Sequence, residues 1–262
     1  MLSVNGPTWG TWSRVGGRFL RDAMCGSWRD GTDLLCPWSC PVCSADAEGP
    51  FCGPCREELL TAAGLVCPRC AETIGPYART DRGCGACRGH TLGFDAALAL
   101  GPYEGAIRHL CLLLKHERNA WLARWLADLW VEARSRLLPR EALNKETRVA
   151  WVPSHWAKRL TRGYDQAETF AEQLADRLGL PLCPALSRVR GTPKLAGLTR
   201  SSRRDIMRGA FRARRAAWHS IEGRTILLVD DILTTGATCG AAASALKQAG
   251  AQKVIAAVIG RA

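Results

Sequence analysis

Apolar positions change period several times along this chain, and each change marks an element. Phe94–Leu100 is apolar almost throughout and predicts a buried strand, closed by Gly101-Pro102. Ala106–Leu114 follows as a helix, and then Ala120–Leu138. In the second helix Trp121, Leu122, Trp125, Leu126, Leu129, Ala133 and Leu137 recur at the helical period. Tryptophans in such a stripe are read as core, although base stacking is the other use of exposed indoles. Arg148–Val152 predicts a short strand that stops at Pro153. Ala167, Phe170, Ala171, Leu174, Ala175 and Leu178 mark an amphipathic helix that ends at Gly179 and Pro181. Thr225–Val229 and Lys253–Ile259 predict two more strands. They are joined by an Ala-rich helix from Ala237 to Ala249, with Gly250 behind it. From residue 147 onward strands alternate with helices, which predicts an α/β fold with a parallel sheet. Ligands of such sheets collect at the carboxyl ends of strands, where Asp230 and Pro153-Ser154 stand.

The stretch Ile226-Leu-Leu-Val-Asp-Asp-Ile-Leu-Thr-Thr-Gly-Ala-Thr238 places two acids after a buried strand and a hydroxyl- and glycine-containing turn before a helix. That order suits a ribose 5-phosphate. Asp230 and Asp231 accept from vicinal ring hydroxyls. Thr234, Thr235, Thr238 and the backbone amides around Gly236 and Ala237 offer donors to the phosphate at a helix N-terminus. Gly236 permits close backbone approach or a positive φ. The plainer alternative is an ordinary β-to-α turn in which Asp and Thr serve as caps.

Thirteen cysteines first suggest disulfides, but their placement argues otherwise. Eight of them form four Cys-x-x-Cys pairs: Cys40/Cys43, Cys52/Cys55, Cys67/Cys70 and Cys84/Cys87. Two thiolates so spaced on a tight turn present both sulfurs to one tetrahedral metal, and two such knuckles complete a four-cysteine shell. One pair alone would be ambiguous with thiol oxidoreductase chemistry. Four pairs with Pro41, Gly53-Pro54, Pro68, Gly83 and Gly85 beside them predict two structural Zn2+ sites. Pairing in chain order gives ribbons 40–55 and 67–87; an interleaved pairing is the alternative. The remaining Cys25, Cys36, Cys111, Cys183 and Cys239 are scattered and read as free thiols, and His90 as a solvated side chain.

Length and charge add bounds. A chain of 262 residues with 47% hydrophobic content holds one ordinary domain and a small one. No segment approaches the ~20 apolar residues that span a bilayer. Residues 1–35 are broken by charges and carry no signal-peptide core, which predicts a cytoplasmic protein whose N-terminal segment has no legible role. Net charge is +12, suited to anionic partners, nucleic acid or phosphorylated metabolites alike. Ten Lys/Arg and one acid fall between Arg188 and Arg215, either a solvated run or a working segment.

Taken together these motifs resemble the ComF (competence protein F) family, a double zinc ribbon followed by a type I phosphoribosyltransferase fold. Matching residues are Asp33-Leu-Leu, Tyr103-Glu-Gly105, Lys115, Val152-Pro-Ser-His155, Arg162-Gly-Tyr-Asp-Gln166, Arg203-Arg204, Gly209-Ala-Phe211 and the Asp230–Thr238 run, which resembles the 5-phosphoribosyl-1-pyrophosphate (PRPP) motif. The resemblance implies three parts: an N-terminal segment 1–35, a double ribbon 36–92 and a phosphoribosyltransferase-like domain 93–262. It implies PRPP held by Asp230, Asp231, Thr234–Thr238, Lys115, Lys158 and Lys194. Pyrophosphate would be met by Lys158, Arg159 and Arg162, and Mg2+ would bridge pyrophosphate and ribose oxygens. Arg190–Arg208 corresponds to a mobile flap over PRPP, and the ribbons to an acceptor-selecting hood over the strand ends. The catalytic set so implied is Asp230, Asp231, Arg159 and Arg162, and the acceptor brings a nitrogen nucleophile. Contact with single-stranded DNA and with competence helicase or recombination proteins is implied as well. Three positions depart from the family pattern: Asp165 stands where an amide is usual, Leu195 where Gln is frequent, and Ile206 where Asn is usual. Hence the alternatives are a non-catalytic DNA-binding adaptor with a vestigial pocket, and a zinc-stapled interaction protein.

Overall fold

The computed structural model describes residues 38–62, 64–138, 144, 146–154, 163–191 and 200–262. Two short antiparallel strands, β1 (Trp38–Ser39) and β2 (Asp46–Ala47), carry the first Cys pair between them. Helix α1 (Gly53–Thr61) then starts directly behind Cys52. The sequence reads Gly53-Pro54 as part of a turn; the structure makes it the first turn of α1. Proline is tolerated there because the N–H it lacks would have no intrahelical partner.

The central sheet has four parallel strands in the order β3 (Ala96–Pro102), β8 (Lys253–Arg261), β7 (Thr225–Leu233), β4 (Arg148–Trp151). Strand β3 runs two residues beyond the predicted stop and keeps Gly101 and Pro102 paired opposite Gly260 and Arg261. Edge position explains the tolerance, since a proline on an outer strand need not donate outward.

Helices α2 (Gly105–Leu113), α3 (Leu122–Arg134) and α4 (Gln166–Leu178) cover one face of the sheet; α6 (Ala237–Gln248) covers the other. Beside α6 lie the antiparallel pair β5 (Leu186–Arg188) and β6 (Phe211–Ala213), and α5 (Arg200–Met207). Side chains alternate between the faces with period two. Leu227, Val229, Ile255 and Ala257 join the core under α2–α4, while Ile226, Leu228, Val254 and Ala256 join the core under α6. The pleat therefore splits the molecule into two apolar cores.

The two cysteine ribbons divide between those cores. Cys40, Val42, Phe51, Cys55 and Leu59 pack with the α2–α4 core, and Cys67, Cys70, Cys84 and Cys87 with the α6 core. Gly93 and Gly240 make the second junction tight. A Cβ on Gly93 would lie 2.5 Å from the Gly240 carbonyl oxygen, and one on Gly240 would overlap the Leu92 carbonyl oxygen. Gly240→Ala should thus cost about 1–3 kcal/mol through overpacking against backbone that cannot rotate away. The check is the chemical denaturation midpoint, and an unchanged midpoint would contradict this packing.

In α3 the buried face is Leu122, Ala123, Leu126, Ala127, Leu129, Trp130 and Arg134. Trp121 and Trp125 are half-buried, and Leu137, predicted on the stripe, is 53% exposed. The α-helix ends at Arg134 and the chain tightens into a 3-10 turn over Ser135–Leu137, which rotates Leu137 off the core face.

Candidate functional site

Topology selects one crevice. Strand β4 leads outward through α4 on one face to a parallel bridge between Val149 and Leu182; β7 leads the other way through α6 on the opposite face to β8. The two connections diverge between β4 and β7. That divergence is a topological switch point, where open α/β sheets bind ligands. Its walls are the segments that follow Trp151 and Val229.

Strand β7 extends farther than the predicted Thr225–Val229. Pairing with β4 ends at Trp151 opposite Val229, whereas pairing with β8 continues to Leu233 opposite Arg261. Asp230 and Asp231 therefore sit on a stretch fixed on one side and open to the crevice on the other. Asp230 is 9% exposed; its carboxylate accepts from the Asp231 amide at 2.9 Å and faces the Cys239 thiol at 3.4 Å. Burial, then the charge of Asp231, raises the Asp230 carboxyl well above the usual carboxylate range. Asp231 accepts from the Ile232 amide at 2.8 Å and from the Gln166 side-chain amide. Burial, with the charge of Asp230 added, likewise pushes the Cys239 thiol up.

Behind the acids, Thr234, Thr235 and Gly236 make the turn into α6. Gly236 is the N-cap residue at φ 79°, a left-handed conformation that a side chain would strain, and a Cβ there would press on Phe94 at 3.4 Å. Thr235 Oγ1 accepts from the Ala237 amide at 3.4 Å. Ala237 and Thr238 open the helix, whose first amides have no intrahelical acceptors. Five residues, Ile232–Gly236, separate the acids from these amides, so one molecule with a diol and a phosphate can reach both.

Across the crevice, Asp165 resolves one departure noted in the sequence. Its carboxylate accepts from the Ser154 amide and hydroxyl, both at 2.8 Å, and from the Ala167 amide at 3.2 Å. It is the N-cap of α4 and a clamp that holds the two ends of segment 155–162 together. An amide there would offer one acceptor oxygen in place of two. Ile206 is half-buried in α5, with its carbonyl beside the Arg190 guanidinium.

Lys115 follows α2, half-buried, near Cys111; burial and the charge of Asp231 push that thiol up while Lys115 opposes the shift. Lys158, Arg159, Arg162, Lys194 and Leu195 lie outside the described residues, as do Cys25, Cys36 and the segment 1–35. The structure brings two cations to the crevice that the site assignment did not include. Arg203 of α5 points Nη1 at Thr234 Oγ1, 3.5 Å away. Burial keeps the Arg188 pKa below the ordinary value, against the charges of Asp230 and Asp165. Both arginines belong to the basic run; Arg203 was also part of the Arg203-Arg204 match, whereas the density of the run was the only signal of Arg188. A cavity of about 460 Å3 flanks the Thr235–Ala237 turn on its ribbon side, with Arg204, Arg208, Leu92 and Phe211 in its walls. Asp230 and Asp231 do not line it, so it adjoins the phosphate end of the crevice rather than the sugar end.

The cysteines converge in chain order, Cys40/Cys43/Cys52/Cys55 and Cys67/Cys70/Cys84/Cys87, which removes the interleaved alternative. Sulfur separations of 3.6 Å (Cys43–Cys52), 3.8 Å (Cys67–Cys87) and 3.6 Å (Cys70–Cys84) match the edge of about 3.8 Å expected of a tetrahedron with Zn–S bonds of about 2.3 Å. Burial acts to raise the Cys67 thiol, but the amides of Arg69, Cys84 and Cys70 prevail and hold it at about 7. Cys40 is lowered in the same way, against burial, by the amides of Cys52, Cys43 and Val42. Cys43, Cys55, Cys70 and Cys87 shift the other way, chiefly through burial. Amides aimed at sulfur favour the thiolate at Cys67 and Cys40, and it is the convergence and spacing of the sulfurs that make both clusters fit zinc. Cys111, Cys183 and Cys239 are free and buried, as expected.

A parallel sheet with acids, turn and helix N-terminus at its switch point defines a phosphoribosyltransferase-type protein, and residues 165–261 match the phosphoribosyl transferase domain model. The chain is 26% identical over 209 residues to competence protein F of Haemophilus influenzae, covering 79% of this chain and 89% of that protein. It is 26% identical over 221 residues to the DNA utilization protein YhgH of Salmonella typhimurium, covering 84% and 93%. A shorter likeness, 42% identity over 89 residues, joins it to an adenine phosphoribosyltransferase of Frankia casuarinae, with 34% and 45% covered. Over most of its length the chain is similar to competence protein F and YhgH, it contains a phosphoribosyl transferase domain, and its two four-cysteine clusters fit a double zinc ribbon. No described helix is long and apolar enough to cross a membrane.

Proposed function

We propose that this chain binds PRPP at the β4/β7 crevice and transfers its phosphoribosyl group to a nitrogenous acceptor, releasing pyrophosphate. The observation that carries the reading is the short span joining a diol-accepting acid pair to a helix N-terminus at the switch point. Asp231, oriented by Gln166, accepts from the ribose hydroxyls, and Asp230 backs it from beneath. The Thr234–Thr238 turn holds the 5-phosphate with amides, hydroxyls and the helix dipole. By the family resemblance Lys158, Arg159, Arg162 and Lys194 are assigned to the pyrophosphate; Asp165 bonds Ser154, just ahead of the segment that carries the first three. Displacement at the anomeric carbon needs charge stabilisation on the leaving group and exclusion of water.

Mg2+ would supply neutralising charge to the pyrophosphate, held chiefly by the substrate's own oxygens as is usual for this ion on phosphates. Among the described residues the clusters of three or more metal-type ligands are the two cysteine sets. Zinc fills the two four-cysteine clusters in a structural role, because four sulfurs leave no position for substrate. We place the protein in the cytoplasm, where PRPP-dependent chemistry and reduced thiolates coexist.

A screen of nitrogenous acceptors with PRPP and Mg2+, read as pyrophosphate release, tests this function. Release with at least one acceptor is expected. Binding of PRPP without release from any acceptor would leave the adaptor reading in place of catalysis. That second reading, a single-stranded-DNA adaptor working with competence helicase or recombination proteins, draws on the net charge of +12 and on the names of the relatives. It requires affinity for single-stranded DNA that falls steeply with added salt.

A further inference from the structure

Arg261 is the penultimate residue of the chain and is 8% exposed. It ends β8, and its planar guanidinium reaches two places that are remote in sequence. On one side Nε donates to the Cys70 carbonyl at 2.9 Å and Nη2 pairs with the Glu72 carboxylate at 2.7 Å, both within the second cysteine ribbon. On the other side Nη1 donates to the Leu233 carbonyl at 3.0 Å and the Thr234 carbonyl at 2.7 Å, where β7 turns into the phosphate loop. Cys70, Ala86 and Cys87 face Leu233–Gly236 across a void of only about 10 Å3. That leaves room for about one water at most, so the guanidinium makes the direct polar link between the two segments.

We propose that Arg261 is a positioning residue that couples the second four-cysteine cluster to the phosphate loop, so that the loop holds its binding shape only while that cluster is intact. The inference rests on the loop being a phosphate-binding loop and the cluster a metal site. Arginine is required by geometry: besides the neighbouring Ala262 carbonyl, four acceptors lie in two remote segments, and a lysine ammonium is a single point with three donors. The first ribbon is tied instead to the opposite face, with the Pro41 carbonyl 3.0 Å from His109 Nε2 and Arg56 paired with Glu132.

Coupling between sites is reciprocal. Ribose 5-phosphate bound at the loop should slow zinc release from the second cluster, and not from the first, by about tenfold within the range of ordinary couplings. The experiment follows zinc release into a chromogenic chelator, with and without ribose 5-phosphate, in the full chain. Cys43→Ser identifies which kinetic phase belongs to the first cluster. In Arg261→Lys the protection of the second phase should vanish while ribose 5-phosphate still binds, about tenfold more weakly. Equal protection in wild type and Arg261→Lys would overturn the coupling. Should wild type bind no ribose 5-phosphate, the phosphate-loop reading fails separately. The link is then judged by hydrogen exchange at Leu233–Thr238. Faster exchange in zinc-loaded Arg261→Lys supports the positioning role, and exchange identical to wild type refutes it. Arg261→Met, with all four bonds lost, should exceed the lysine variant in the same direction.

Discussion

Stripping metal from the two cysteine clusters is expected to unfold far more than two small ribbons. Structural zinc contributes about 10–16 kcal/mol in isolated knuckle peptides, against a total stability of about 5–15 kcal/mol for ordinary domains. Here the ligands are part of the main cores: Cys40 and Cys55 pack with the helices over one face of the sheet, and Cys67, Cys70, Cys84 and Cys87 with α6 over the other. Losing zinc leaves buried sulfurs that repel one another when ionised and vacates the centre of each cluster. Removing both metals should therefore bring down both cores, with about two zinc ions released per chain by the two four-cysteine shells. Acidification should have a similar effect, because protons compete with metal for thiolates. Circular dichroism with metal analysis across a chelator titration is the check. Full metal loss with an unchanged melting curve would contradict the embedded-staple account.

The second large effect concerns the acid pair. PRPP at a hundredfold excess over its dissociation constant should stabilise the wild type by about 2.7 kcal/mol, on the order of 5–10 °C in Tm for a chain of this size. Asp230→Asn combined with Asp231→Asn should abolish that shift, since the ribose hydroxyls would lose both carboxylate acceptors. Without ligand the sign reverses for Asp230→Asn alone. Burial holds the Asp230 pKa above its unfolded value, so the folded protein retains a proton that the unfolded chain has released. The resulting penalty is absent below about pH 4, where both states are protonated, and grows as pH rises from there towards the folded value. Asp230→Asn should accordingly raise the ligand-free stability at neutral pH, by on the order of 1 kcal/mol, and the gain should shrink as pH falls through the range in which zinc stays bound. Thermal scans across that range, with and without PRPP, separate the two effects. A gain that grows as pH falls would contradict the buried-carboxyl assignment.

Much of this site was legible because its residues are consecutive. A continuous apolar strand, two acids and a Gly-containing turn are local, and the parallel sheet and α6 follow from them. The cysteine spacing was legible for the same reason, since a knuckle is a local object. What pattern reading passed over is long-range or too short to have a period. Strands β5 and β6 have three residues each, and α5 lies within a run so basic that it reads as a flap without internal structure. Arg134 had no part in the apolar stripe, yet it turns inward, where its guanidinium donates to the Ala99 carbonyl at 2.6 Å. Asp165 looked unfavourable next to a pyrophosphate site; the fold makes it a cap, because the chain brings Ser154 back to it. The strand pleat announces two faces, but only the assembled sheet assigns one ribbon to each.

Everything catalytic in this account depends on one sugar phosphate bridging the end of β7 and the start of α6. Isothermal titration of the zinc-loaded protein with PRPP in Mg2+ addresses that bridge without needing an acceptor. The expected result is one saturable site per chain, competed by ribose 5-phosphate and absent when Asp230→Asn and Asp231→Asn are combined. A folded, zinc-loaded protein that takes up neither compound would contradict it.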